Sequence, residues 1–420
     1  MPANRLATPA SFNDEWFYGE LSKFDREHHL DLKSWYKSNE GPRWRAMSHT
    51  VWSSSPERTE WKRLIERLPT YFGSEVVYLT DWTLESLRRI YPDFDTIFAN
   101  HAYMEWLLYA EMDYGEYRDH IVHPVKVAMV AWWLLNELSD ATERIRERLA
   151  STAHVQRLLG HIGLSKGIFG DGKIVNAAIW LAALFHDLGY GHNFLCGLET
   201  RLMGSFGFYA GDVVGGSIAG MHPDLIEKSL IKHHLDGGST GKPINTLGRK
   251  KRSWPPAKEP WQTMLYDNLP RNHSIAGALN LLCINQEIVD HWPDVDPRLV
   301  LIFELAAEAV FLHDLTGEKS FSKIDFQISF DESPLGVLLI LADEIQCWGR
   351  PVLKHRRGRG HQEIVIRFEP EREAVKYRLE HSVSRSKLHL ESCVSKKLEK
   401  IRSNGGRVDW SGLLDIVELK

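Results

Sequence analysis

Cysteine is scarce. The 420 residues hold four, Cys196, Cys283, Cys347 and Cys393, with no two close together and no Cys-x-x-Cys. That excludes a disulfide framework and any plausible catalytic cysteine set. Long apolar runs are missing too. The longest, Ala177 to Phe185, falls far short of the ~20 residues that span a bilayer. There is no strong charge of one sign: the formal net charge is −5, which gives no global drive toward nucleic acid or an anionic membrane. The polar opening "MPANRLATPASFNDEW" does not look like a secretion signal. Repeats, low-complexity tracts, a Gly-x-Ser-x-Gly and a P-loop are all absent; "GSFGFYAGDVVGG" has no Gly-Lys-Ser/Thr ending. The expectation is a soluble cytoplasmic protein without a membrane partner.

What is present is ordinary globular composition, 43% hydrophobic and 25% charged, so the chain can build a packed core. Its length calls for one large domain with appendages, or two to three units. Residues 1–110 mix Trp, Pro and charge, and "SSSPERTEWKRLIERLPTYF" and "TDWTLESLRRIY" predict short amphipathic helices there. Residues 111–350 carry five stretches that are apolar on nearly every face: "HPVKVAMVAWWLLNEL", "NAAIWLAALFHDLG", "NHSIAGALNLLCI", "VLIFELAAEAVFLHDL" and "SPLGVLLILADEIQCW". A helix apolar all round is buried by other helices, which predicts a mostly α bundle core. Ser333 and Pro334 predict an N-cap and first turn for the fifth helix. An insert over 189–270, rich in Gly and Pro, separates the second helix from the third. A stretch of that length predicts a functional lid or a disordered segment, interrupted by a helix at "PDLIEKSLIKHH". Residues 351–420 change period: "QEIVIRFEPEREAVKYRLEH" alternates as a strand hairpin and "SKLHLESCVSKKLEKIRS" as an amphipathic helix, a small α+β appendage.

Each buried helix carries a side chain that binds metals. The first opens at His123, with His120 one turn earlier as its alternative. The second ends in His186 and Asp187, the third opens at His273, the fourth ends in His313 and Asp314, and the fifth holds Asp343 and Glu344. One histidine on an apolar face is usually a satisfied core residue, but five helices each with such a residue make chance a poor account. Imidazole and carboxylate donors without thiolate suit Mn, Fe, Co, Ni or Zn, and carboxylate-rich sites also take Mg.

This ordered set resembles the HD superfamily of metal-dependent phosphohydrolases, and "DEIQCWGRP" is similar to the late helix of its bacterial HD-CE type. The resemblance covers about residues 111–351. It implies an HD-type helical bundle in which His123, His186, Asp187 and Asp343 bind one divalent metal. His273 and His313 look like the extra ligands of two-metal members, with Asp187 as the bridge. One or two ions (Mn, Fe, Ni, Zn or Mg) would activate a water and polarise a phosphoryl oxygen, with a nucleotide or another small phosphoester as substrate. The missing Lys after the His-Asp pair and the missing Gly-Tyr-Pro argue against cyclic dinucleotide hydrolysis.

In the insert, His192, His233 and His234 are candidates for the general acid or for contacts to a substrate phosphate. Arg118, Lys232 and Arg350 flank the ligands and are candidates for binding phosphate oxygens. The basic runs "GRKKR" and "KHRRGRG" read first as solvated charge, so nucleic acid is not favoured as a partner. A homo-oligomer is left open. Two rival functions use the same ligands: a metal- or nucleotide-sensing module that acts through a partner, and an HD-type di-iron oxygenase.

Overall fold

The computed structural model describes residues 11–12, 122–137, 140–170, 172–187, 189–190, 223–238, 261–262, 265, 272–291, 295–315, 327–346, 362–369, 374–381 and 408–409. In chain order the elements are strand β1 (Ser11–Phe12), helices α1 (Val122–Glu137), α2 (Ala141–Ser151) and α3 (Ala153–His161), a 3-10 turn (Lys166–Phe169), and α4 (Lys173–Phe185). The short helices α5 (Pro223–Lys228) and α6 (Ile231–Leu235) follow, then α7 (His273–His291), α8 (Pro297–His313), β2 (Ile328–Ser329), α9 (Pro334–Ile345), the strands β3 (Gln362–Glu369) and β4 (Ala374–His381), and β5 (Val408–Asp409).

The described chain is mostly helical, as the apolar patterning predicts. Every residue of α4 from Ala177 to Phe185 is buried, and so is every residue of α8 from Leu301 to His313. Two helices can be apolar all round only if others surround them. Here α4 packs on α1, α8 and α9, while α8 packs also on α7 and α9. Trp180, Phe169, Phe185, Phe303 and Phe311 are the largest fully buried side chains among the described residues. Among the described residues no helix is long and apolar enough to cross a membrane.

Helix starts are set by local chemistry. Asp296 accepts the Arg298 backbone N–H at 2.9 Å, with Pro297 in the first turn of α8. Asn272 Oδ1 accepts the Ile275 N–H at 2.9 Å, which starts α7 at His273. The fifth predicted helix does begin at Pro334, but Ser333 makes no side-chain cap bond. Its hydroxyl has no hydrogen-bond partner among the described residues, and its carbonyl instead accepts from Val337 at 3.0 Å. Ser333 thus takes the expected N-cap position, with Pro334 in the first turn, but without a side-chain cap bond.

The alternating segment forms the expected antiparallel hairpin, β3 with β4, in the register Ile364↔Leu379 and Ile366↔Tyr377. β1 adds to the other edge of β3, and β5 pairs in parallel with β2. Within residues 1–110 only Ser11–Phe12 is described, as strand. The two helices expected at 53–72 and 80–91, the glycine-rich and proline-rich parts of the insert and the helix expected at 386–403 lie outside the described residues. The insert's predicted helix is present as α5 and α6, split at Ser229–Leu230.

Candidate metal centre

Helix directions bring the six expected ligands to one end of the bundle. His186 and Asp187 follow the last residue of α4, His313 is the last residue of α8, and Asp343 lies in the last turn of α9. His123 and His273 sit in the first turns of α1 and α7. Three helix C-termini thus meet there, and their free carbonyls favour positive charge.

The distances fall into two halves that share Asp187, with His186 also close to His313. In the first half His123 Nε2 lies 3.2 Å from His186 Nε2 and 3.0 Å from Asp343 Oδ1. In the second, His273 Nε2 lies 3.0 Å from His313 Nε2. Asp187 faces both: its Oδ1 is 3.3 Å from His186 Nε2 and 3.6 Å from His273 Nε2, and its Oδ2 is 3.6 Å from His123 Nε2. All four histidines and Asp187 are buried.

Each ring is turned by a partner on its other nitrogen. His186 Nδ1 donates to the Ala183 carbonyl at 2.7 Å, and His313 Nδ1 donates to the Val310 carbonyl at 2.6 Å. His123 Nδ1 is hydrogen-bonded to Gln346 Oε1, and His273 Nδ1 faces Asp314 Oδ2 at 3.5 Å. Tyr190 stacks on the His273 ring, centroids 3.9 Å apart. With protons held on Nδ1, every Nε2 presents a lone pair to the centre. Two lone pairs at 3.0–3.2 Å repel unless a cation or a proton lies between them. His313 is ill suited to carry that proton: burial, then the neighbouring His186, push its pKa down to about 4, against the pull of Asp343 and Asp187. Nitrogens sharing an ion at ~2.0–2.1 Å stand ~2.9–3.4 Å apart, so the residues fit a metal.

Backbone packing makes the convergence possible. A Cβ on Gly189 would collide with the His273 carbonyl and come within 2.7 Å of Gly277 N. The His-Asp turn and α7 therefore touch backbone to backbone, glycine on glycine.

The other expected site residues are placed differently. His233 and His234 belong to a second buried cluster: His154 Nε2 and His234 Nε2 lie 2.8 and 2.7 Å from the same oxygen of Glu308. Burial opposes ionisation of Glu308, but His154 and His234 outweigh it and hold the pKa at about 2. Lys232 pairs with Asp236 at 2.6 Å and Glu227 at 3.7 Å and lies over the Trp261 ring. His192, Arg118 and Arg350 lie outside the described residues. Gln346, Tyr190, His154 and Glu308 were missed from the sequence. The signal for Glu308 was present, since "FELAAEAVF" sets two acids four apart inside an otherwise apolar helix.

One of those acids yields a stability prediction. Glu304 is buried, and burial pushes its pKa up to about 8. The Leu230 N–H opposes the shift, the Glu308 charge adds to it, and Asn285 opposes it. Between its ordinary value of 4.5 and about 8 the folded chain keeps a proton that the unfolded chain has lost. Stability from this residue is therefore full below that window and falls as pH rises through it. Glu304→Gln should match wild type near pH 5 and be more stable at pH 9, by on the order of a few kcal/mol. Denaturant melts at the two pH values check this, and equal stability at pH 9 would refute it.

The fold and centre define a helical protein with a carboxylate-bridged histidine site that could hold a cation. Compared with known proteins, the chain matches no family model, no curated protein and no solved structure.

Proposed function

We propose that the chain is an HD-type metal-dependent phosphohydrolase acting on a small phosphoester, a nucleotide in the first instance. The observation that supports this reading most is the pair of Nε2···Nε2 approaches, 3.2 and 3.0 Å, with Asp187 between them. Four imidazoles against two carboxylates favour Mn, Fe, Ni or Zn over the oxygen-seeking Mg. A divalent cation held there would supply Lewis acidity toward a phosphoryl oxygen and lower the pKa of a water.

The remaining work falls to the chain's own groups. The histidines offer nitrogens whose orientation is fixed from behind. Asp187 serves both halves and so keeps them in one charge balance. Asp343 is a quarter exposed and Asp314 about a third, while Asp187 is buried, so substrate approaches from the Asp343–Asp314 side. With His234 engaged at Glu308 and His233 stacked on His154 and facing Glu332, His192 is our proposal for the acid that protonates the leaving oxygen, and Arg118 and Arg350 for holding phosphate.

Purified protein should contain Mn, Fe, Ni or Zn by elemental analysis. Stripped by chelator, it should cleave an aryl phosphoester and a nucleotide panel only after metal is restored. Full activity in the stripped protein would sink the reading. Metal without cleavage of any phosphoester would favour the sensing module, and oxygen consumption with an iron absorption band the oxygenase.

A further inference from the structure

We propose that His154, His234 and Glu308 form a second cation site, separate from the centre at the helix ends, that takes a zinc-like divalent ion and pins the insert to the core. The three residues come from α3, α6 and α8, with His154 and His234 lying 154 and 74 positions before Glu308. Their ligand atoms all lie within 4.8 Å of one another, and all three side chains are buried.

Two imidazole nitrogens converge on a single carboxylate oxygen, which is the donor set of a His-His-Glu site. Distances of 2.7 and 2.8 Å are those of hydrogen bonds, and an ion would open them by about half an ångström to the ~3.3 Å of ligands around a tetrahedral centre. His233 closes one side. Its ring stacks on His154 with centroids 4.1 Å apart, and its Nε2 faces Glu332 at 3.6 Å. A solvent molecule or the second Glu308 oxygen completes the set.

Charge favours occupation as well. Glu308 is a buried carboxylate that its histidine neighbours keep ionised, and a divalent ion would balance that charge, while Glu304 one turn away on α8 stays protonated. The Leu230 N–H already bonds Glu304 at 3.1 Å, so α6 is tied to α8 just beside the cluster. An ion at Glu308 adds a second tie from the same short helix. The site is independent of the phosphohydrolase reading, because it shares no ligand with the first centre.

The test uses the full chain with the first centre disabled by His186→Ala and Asp187→Ala. After stripping and exposure to Zn²⁺ alone, this protein should retain one zinc per chain by elemental analysis, and zinc should raise its melting temperature. Adding His234→Ala should lower the zinc to below a tenth per chain and abolish the melting shift. A zinc-free double variant, or retention of zinc after His234→Ala, would overturn the proposal. Should these variants fail to fold, zinc-soaked crystals of the wild-type chain decide. An anomalous peak between the Nε2 atoms of His154 and His234 supports the site, and peaks confined to the helix-end centre refute it.

Discussion

Asp187→Ala should abolish metal retention and lower phosphoester turnover by several orders of magnitude, while the metal-free variant melts close to metal-free wild type. Asp187 faces both halves, with His186 and His273 near its Oδ1 and His123 near its Oδ2. Its loss removes a ligand from each half at once, and the rest of the centre cannot compensate. For stability two effects oppose. Truncating a buried carboxylate strands hydrogen-bonding neighbours at about 1–3 kcal/mol. It also removes a buried charge that has no cation to balance it in the stripped protein. The comparison belongs in chelator, by melting both proteins, with metal content and specific activity measured alongside. A variant that melts far lower in chelator yet keeps metal and activity would show that the His-Asp pair is architecture.

Gly189→Ala should be as damaging, through geometry alone. The added methyl would overlap the His273 carbonyl and crowd Gly277 N, both backbone atoms that cannot swing aside. The turn bearing His186 and Asp187 must then move away from α7, which carries His273. Overpacking of this kind typically costs 1–3 kcal/mol, and the larger effect falls on the half-site between Asp187 and His273, 3.6 Å apart. We expect metal affinity to fall at least tenfold, with loss of the second ion before the first. Metal titration by calorimetry on wild type and variant checks this. Unchanged stoichiometry and affinity would mean that the glycine contact does not set the site.

The bundle was legible because α4 and α8 are apolar on every face, a pattern that only burial explains. The six candidate ligands at the helix ends were legible for a related reason: a His or Asp at either end of such a run has no solvent to satisfy it. Contacts between segments far apart in sequence left weaker traces. Nothing local marks Gln346 as the partner of His123, 223 residues away. Ser333 carries the sequence chemistry of a cap, yet its backbone at φ −138° and ψ 74° makes no side-chain cap bond. His233 and His234 were read as site residues from type and position in the insert. Their side chains meet His154 and Glu308, a pairing that depends on how α6 docks on α8. Glycine at 189 and 277 shows only as a missing side chain, and the reason for it exists only once two backbones are placed together.

The bonds from His186 Nδ1 to Ala183 and from His313 Nδ1 to Val310 have a consequence for how the centre is loaded. Each carbonyl is one that a longer helix would have given to a backbone N–H four residues on. Stopping the helix and aiming the imidazole are therefore a single event. The centre would act as a rack, since a cation held there would meet nitrogens already pointed at it.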